Sequence, residues 1–182
     1  MSQFVLDIER IRSEARSKIK DGAVTPDYKA DPKEIIELLS GALATEWLCV
    51  LRYTQHSLAA KGIHAEAIAD HFREHAKQEQ EHTEALSERI SQLGGTPHLD
   101  PRLIAEKSHT QYKECDNLID MIKENLIAER IAIEAYSETI RYIGDKDATT
   151  RRVLEQILEV EEEHADDMAD LLAAHDPSDK LN

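Results

Sequence analysis

The sequence predicts an all-α protein built around a bundle of four long helices, and three observations support this fold class. The 182 residues include only six Gly and five Pro, too few for a β sandwich or barrel, which needs a turn every ~8–12 residues. In four long segments the apolar residues recur at steps of three and four, as on one face of a helix. Two of the three connections between these segments are very short, which is typical of paired antiparallel helices.

Residues 1–31 are expected to form an N-terminal helical arm and a linker ahead of the bundle. Apolar residues within 4–20 have helical spacing, which predicts a short amphipathic helix there. Asp21 and Gly22 end this helix, and the linker follows. The first twenty residues hold five basic and three acidic side chains, so the arm is slightly basic on a chain whose formal charge is −15.

The bundle is expected to span residues 32–175, with a C-terminal tail at 176–182. Asp31 and Pro32 start it, because Asp caps helix N-termini and Pro fits the first helical turn. The long connection of about 14 residues follows the second helix and lets the third begin at the far end of the bundle, a crossover. Up-down-up-down wiring stays open as the alternative. The four long helices are predicted at residues 32–60, 64–93, 108–143 and 148–174.

Six ionisable residues occupy the apolar stripes of these helices, where core residues belong. They are Glu46, Glu79, His82, Glu129, Glu161 and His164. Glu46 and Glu79 lie equally far from the turn that joins their helices. The same is true of Glu129 and Glu161, so the two carboxylates of each hairpin face each other at one level. The second and fourth helices each carry a Glu-x-x-His motif.

This set of side chains is expected to bind metal. Burying an isolated carboxylate costs several kcal/mol, and like charges side by side raise the cost. Four Glu and two His in a bundle core are the ligands of a dinuclear carboxylate site. One imidazole per metal in an oxygen-rich set suits iron or manganese better than structural zinc. The alternative is that these glutamates lie on solvated helix faces. It does not explain why both Glu-x-x-His motifs lie on apolar stripes and are aligned with a glutamate of the preceding helix.

The two halves of the bundle repeat one pattern. A tyrosine follows seven residues after the first glutamate of each half, Tyr53 after Glu46 and Tyr136 after Glu129. The Glu-x-x-His motif then follows that glutamate by 33 residues in one half and by 32 in the other. Such a duplication places two equivalent metals about a pseudo-two-fold axis.

At these residues the chain resembles the bacterioferritins. The resemblance covers roughly residues 32–174 and implies a ferritin-like four-helix bundle with a long crossover. It also implies an intrasubunit diiron ferroxidase centre that oxidises Fe(II) for iron storage, detoxification and protection against oxidative stress. The residues that carry it are Leu38, Leu39, Glu46, Tyr53, His56, Glu79, His82, the segment 89–97, Glu129, Tyr136, Glu161 and His164.

The resemblance also implies roles for individual residues. Each subunit is expected to bind two iron ions, with manganese as an alternative metal. Tyr53 matches the tyrosine next to the bacterioferritin diiron centre and is expected to act in catalysis. The implied ligands are Glu46 and His82 for one iron, Glu129 and His164 for the other, and Glu79 and Glu161 as bridges.

Three departures from the bacterioferritins change what is expected. Gln80 stands where bacterioferritins have the methionine that binds haem, so no haem is expected. Only 18 residues follow His164, which leaves no room for the short fifth helix that helps to build a 24-subunit cage. The arm at 1–31 is similar to the tails of Dps-type mini-ferritins, which assemble as 12-mers. A homo-dodecamer is therefore favoured over a 24-mer, with a dimer as the alternative.

Two other functions remain open. One is a dimeric diiron or dimanganese oxidase or peroxidase without storage, and the other is a DNA-protecting shell protein of the Dps type. The acidic charge attracts Fe(II) and repels phosphate backbones, so strong DNA binding is not expected. The oxidant is O₂ or H₂O₂. The sequence has neither an apolar run of the ~18–20 residues that span a membrane nor a secretory core, which predicts a cytoplasmic protein without a membrane partner.

The two cysteines are expected to stay reduced. Cys49 and Cys115 form no CxxC motif. If the third helix begins at residue 108, the crossover wiring separates them by about 16 Å along the bundle axis at a rise of ~1.5 Å per residue. A disulfide spans at most ~7 Å between Cα atoms.

Overall fold

The computed structural model describes residues 4–63 and 65–175, and this part of the chain contains helices and no strands. The predicted four-helix bundle is thereby confirmed, and the long connection contains a short helix. The predicted tail at 176–182 lies outside the described residues. The helices are α1 (Ile8–Glu14), α2 (Pro32–Ala59), α3 (Ala65–Gln92), α4 (Pro101–Lys107), α5 (Leu118–Ile143) and α6 (Ala148–His175), with a short 3-10 helix at Ile19–Asp21.

The bundle consists of two antiparallel hairpins that meet face to face. Helix α2 packs along α3 and α5 packs along α6, while α2 contacts α5 and α3 contacts α6. The buried apolar side chains divide into two clusters, one toward each end of the bundle. Leu43, Leu86, Ala132 and Ile157 belong to one cluster. The other contains Cys49, Ala76, Ile122 and Met168. The middle of every long helix is left to the ionisable residues of the apolar stripes.

The long connection is a crossover that runs along α2 from its first turns toward its C-terminal end. Helix α5 therefore starts beside the end of α2 and runs antiparallel to it, which confirms the predicted wiring. Successive crossover residues contact successive turns of α2. The contacts, in chain order, are Lys107 with Glu37, His109 with Thr45, Gln111 with Arg52 and Lys113 with His56.

The third long helix begins ten residues later than predicted, at Leu118 rather than 108. Backbone groups in the intervening segment bond to side chains of α2 instead of forming helical hydrogen bonds. Asn117 then caps α5 by accepting a hydrogen bond from the amide of Asp120 at 3.0 Å. Cys115 consequently precedes α5 and packs against the cluster that contains Cys49. Both cysteines are free in the structure, as predicted, and their separation along the bundle axis stays a prediction.

The N-terminal arm is less helical than predicted. Helix α1 covers seven residues instead of 4–20, and none of them is buried. The left-handed backbone of Lys18 (φ 49°) interrupts the helix. The linker is attached to the bundle, because the hydroxyl of Tyr28 donates to Asp147 at 2.5 Å. None of the helices in the described part of the chain has the length and apolar character that crossing a bilayer requires.

Candidate dinuclear metal centre

The structure brings all six predicted ligands together at mid-height in the bundle. Glu46 comes from α2, and Glu129 comes from α5. The two Glu-x-x-His motifs lie on α3 and α6, where a spacing of three residues places both side chains on one helical face. All six are buried, and the most accessible of them, His82, exposes 7% of its surface.

The ligand atoms form two overlapping groups. In each group, one atom from each residue lies within 4.8 Å of the others. Glu79 and Glu161 belong to both groups, as two carboxylates that bridge a pair of metals would. The first group is Glu46, Glu79, His82 and Glu161, and the second is Glu79, Glu129, Glu161 and His164.

His82 lies at the centre of the first group. Its Nδ1 is 2.9 Å from Glu161 Oε1, 3.2 Å from Glu46 Oε2 and 3.4 Å from Glu79 Oε2. One nitrogen thus faces three carboxylates from three helices. A metal ion at this position would be held by the same atoms.

His164 is held in one orientation by a hydrogen bond of its outer nitrogen, Nε2. Its Nε2 lies 3.0 Å from Gln78 Oε1, an acceptor, so the proton belongs on Nε2. The lone pair of Nδ1 then faces Glu79 Oε1 at 3.5 Å. Histidines that bind metals commonly use their second nitrogen in this way.

Two tyrosines form hydrogen bonds with the two glutamates that belong to only one ligand group each, Glu46 and Glu129. Tyr53 donates a hydrogen bond to Glu129 Oε1, and Tyr136 donates one to Glu46 Oε1 at 2.6 Å. Each tyrosine therefore orients the glutamate that belongs to the other half of the repeat. Both side chains are fully or almost fully buried.

Several buried acceptors in the site form no hydrogen bond within the described residues, although His82 Nδ1 lies within ion-pair distance of two of them. They comprise five carboxylate oxygens and one imidazole nitrogen. Buried polar atoms are nearly always satisfied, so this concentration at one point indicates that the site is built for cations. The atoms are both carboxylate oxygens of Glu79 and of Glu161, Oε2 of Glu129 and Nδ1 of His164.

The pKa values in the site reflect the burial of its carboxylates and their closeness to one another. Burial and the charge of Glu79 raise the pKa of Glu46 to about 8. They also raise the pKa of Glu129, and burial with several neighbouring carboxylates raises that of Glu161. Burial alone would lower the pKa of His82, but its contacts with Glu46 and Glu79 raise it to about 10.

The sequence did not predict that Tyr136 contacts Glu46 or that Arg52 is buried beside Asn125. The Glu-to-Tyr spacing common to both halves was the available signal for Tyr136. Arg52 is 1% exposed and donates from Nε to Asn125 Oδ1 at 2.9 Å. Asn125 lies on the apolar stripe four residues before Glu129, and a polar residue at such a position signals a buried partner.

Residues 36–176 match the family described as Ferritin-like domain. The chain belongs to this family. This ferritin-like protein is 32% identical over 137 residues to the "DNA protection during starvation protein" of Pyrococcus furiosus, covering 74% of each chain. It is 28% identical over 139 residues to the bacterioferritin of Mycobacterium avium, covering 76% of this chain and 82% of that one.

A solved structure resembles this ferritin-like protein over most of both chains. It is the dodecameric thioferritin of Bacteroides fragilis, described as a bacterioferritin-related protein. The TM-score is 0.77 at 33% sequence identity, and the match covers 80% of this chain and 88% of that one. The predicted similarity to bacterioferritins and Dps proteins is thereby confirmed.

Proposed function

We propose that this ferritin-like protein oxidises Fe(II) to Fe(III) at a dinuclear centre within each subunit, for iron storage or detoxification. The observation that carries the proposal is the pair of overlapping ligand groups that share Glu79 and Glu161. Their oxygens are buried and form no hydrogen bond within the described residues, although His82 Nδ1 contacts one oxygen of each as an ion pair. Oxygen-rich ligation with one imidazole per metal suits Fe(II), and Mn(II) is the alternative.

Iron is the substrate in this proposal. Two Fe(II) ions give up one electron each, and the oxidant accepts both electrons. O₂ and two protons become H₂O₂, or H₂O₂ and two protons become two water molecules. Glu79 and Glu161 hold the two ions side by side, and their negative charge favours the Fe(III) products. The formal charge of −15 attracts Fe(II) toward the protein.

Tyr53 is proposed to act in the reaction through Glu129. Its hydroxyl donates to that carboxylate, which holds the remaining oxygen toward the second metal position. Tyr136 has the equivalent contact with Glu46. The dinuclear site is therefore enclosed by a tyrosine–glutamate pair at each of its two metal positions.

The localisation, subunit number and cofactor content of the protein follow from the same proposal. We expect a cytoplasmic homo-dodecamer with two iron ions per subunit and no haem. The Bacteroides relative is a dodecamer, which supports that size over a 24-mer or a dimer. The Pyrococcus relative is named for DNA protection, so a DNA-protecting shell is the second candidate, and the acidic charge of the chain opposes it.

The decisive experiment measures Fe(II) oxidation by the bridge variants. Glu79→Ala and Glu161→Ala should each reduce the initial rate of Fe(III) formation at least ~100-fold, because each removes a ligand from both positions. The exposed neighbours provide controls, and Glu81→Ala and Glu162→Ala should oxidise iron at the wild-type rate. Wild-type rates in either bridge variant would contradict a dinuclear centre.

Particle mass and iron content distinguish an iron-storage protein from an enzyme that only catalyses oxidation. Light scattering should give a particle of about twelve subunits that retains many more than two iron ions per subunit. A dimer with two metals per subunit would instead support an oxidase or peroxidase. A gel shift at physiological salt tests DNA binding, which we expect to be weak.

A further inference from the structure

A third group of metal-binding side chains lies beside the dinuclear centre. It consists of His71 and His75 on α3 and Asp167 on α6, with ligand atoms within 4.8 Å of one another. The two histidines are four residues apart and share a helical face. His75 is 2% exposed, whereas His71 and Asp167 are exposed. The group therefore reaches from the core to the surface.

The hydrogen bond between Tyr53 and Glu129 determines how His75 is protonated. The single hydroxyl proton of Tyr53 is donated to Glu129, so its oxygen acts as an acceptor toward His75 Nδ1 at 3.2 Å. His75 Nδ1 must carry the proton of that contact. The other nitrogen of the neutral ring, Nε2, is then a lone-pair acceptor.

This lone pair faces another acceptor. His75 Nε2 lies 3.2 Å from Asp167 Oδ2. Two acceptors at this distance repel each other unless a proton or a metal ion lies between them. Neighbouring ligands of a transition metal with bonds of about 2.1 Å are separated by about 3.0–3.4 Å, so the observed spacing suits a shared metal ion. The hydrogen bond from His75 Nδ1 is the outer contact that orients histidine ligands in metal sites.

We propose that His71, His75 and Asp167 bind a third divalent transition-metal ion, which is Fe(II) when the protein handles iron. Three protein ligands at the surface leave the remaining coordination positions to water. Two imidazoles and one carboxylate suit Fe(II), Mn(II), Co(II) or Zn(II) rather than Mg(II) or Ca(II). The identity of the ion as iron and its passage to the dinuclear centre rest on the proposed function, whereas the binding of a metal ion here does not.

The position of this site indicates its purpose. The ring of His75 stacks on that of His164, with centroids 4.0 Å apart and planes 16° from parallel. His164 is a ligand of the second metal position, so one pair of stacked rings separates the third ion from the dinuclear centre. The site is a staging point where a hydrated ion exchanges water for protein ligands before it reaches the buried carboxylates.

Cobalt binding tests the third site without relying on oxidation. Co(II) is added to the metal-free full-length protein, bound cobalt is counted by equilibrium dialysis, and cobalt is located in crystals by anomalous scattering. Wild-type protein should show two peaks between the six buried ligands and a third between His71, His75 and Asp167. His71→Ala and Asp167→Asn should each lose one cobalt per subunit and only the third peak.

Two exposed residues provide matched controls. His98→Ala removes a surface imidazole elsewhere, and Asp166→Asn removes the adjacent carboxylate on α6; both should keep the third peak. Wild-type protein with two peaks and no third, or His71→Ala protein that keeps the third, would overturn the inference and leave the dinuclear proposal standing. Absence of the two buried peaks would instead contradict the dinuclear proposal.

Discussion

Tyr136 on α5 donates a hydrogen bond across the bundle to Glu46 on α2, over 2.6 Å. Tyr53 on α2 makes the reciprocal contact with Glu129 on α5. Because α2 and α5 run antiparallel, the two contacts are related by the pseudo-two-fold axis of the repeat. Each half of the bundle thus orients a carboxylate of the other half, and neither candidate metal position is complete within one hairpin.

Removing either hydroxyl should weaken one metal position selectively. Tyr136→Phe leaves Glu46 without its donor, and Tyr53→Phe does the same to Glu129. Loss of such an outer hydrogen bond typically lowers metal affinity ~10–100-fold. Titration of the metal-free protein with Mn(II) should show one weakened position in each variant and two in the double variant. The exposed Tyr142 provides the control, and unchanged affinities in Tyr136→Phe and Tyr53→Phe would contradict this coupling.

Metal binding should release protons from the ligands of the first position. Glu46, with its pKa near 8, and His82, with its pKa near 10, both hold protons at pH 7 in the metal-free protein. Only the deprotonated forms bind metal, so filling this position at pH 7 should release at least two protons per subunit. The number should fall as the pH rises from 7 to 10, because the groups then lose protons before the metal arrives.

Calorimetry in two non-chelating buffers of different ionisation enthalpy measures this release. The apparent binding enthalpy of Mn(II) should differ between the buffers at pH 7 and differ less at pH 9. Glu46→Gln should release about one proton fewer, since Gln carries no acidic proton. Identical enthalpies in both buffers at pH 7 would show that the site is already deprotonated.

The six candidate ligands were predictable because two independent patterns coincide at them. Helical periodicity alone places Glu46 and Glu129 on buried stripes, and the turn positions alone align them with Glu79 and Glu161. Core burial of four carboxylates has few solutions other than metal binding. The placement of the candidate ligands was therefore encoded locally, in residue type and spacing.

The features that sequence reasoning missed depend on tertiary contacts. The segment before Leu118 contains no Gly or Pro that would prevent a helix, but its backbone groups bond to α2 in the folded protein. Tyr28 gives no sequence signal of its own, since its partner Asp147 is 119 residues away. The proposed role of His75 depends on two neighbours from other helices, Tyr53 and Asp167. Such contacts follow only from the packed structure.

A buried ion pair attaches the linker and the α5–α6 turn to α3. Arg89 Nη2 lies 3.0 and 2.9 Å from the two carboxylate oxygens of Asp147, which is 4% exposed. The carboxylate also accepts hydrogen bonds from Tyr28 and Thr150. Removing one partner of a buried pair costs about 3–5 kcal/mol, so Asp147→Asn should lower the free energy of unfolding by roughly 3 kcal/mol.

The pH dependence of this effect follows from the pKa of Asp147. Burial alone would raise this pKa, but the hydrogen bonds from Thr150, Tyr28 and Arg89 lower it to about 2. The stabilisation is therefore complete above the unfolded pKa of about 4 and is lost as the pH falls toward 2. Denaturant midpoints of wild type and Asp147→Asn should differ at pH 7 and converge below pH 4. Asp145→Asn, in the same turn but fully exposed, should match wild type throughout.

The purified protein should contain no haem, because the residues that the structure describes offer no accessible thioether. Gln80 is exposed on α3 directly after Glu79, at the position where the bacterioferritins bind haem through methionine. The methionines of the described residues, Met121 and Met168, are 2% and 0% exposed and lie within the apolar core. Protein expressed with added iron and a haem precursor should show no Soret band and no pyridine haemochrome, and Gln80→Met provides a comparison in which a surface thioether is restored. A stoichiometric haem spectrum in the wild-type protein would mean that another side chain ligates haem and that the departure at Gln80 has no functional consequence.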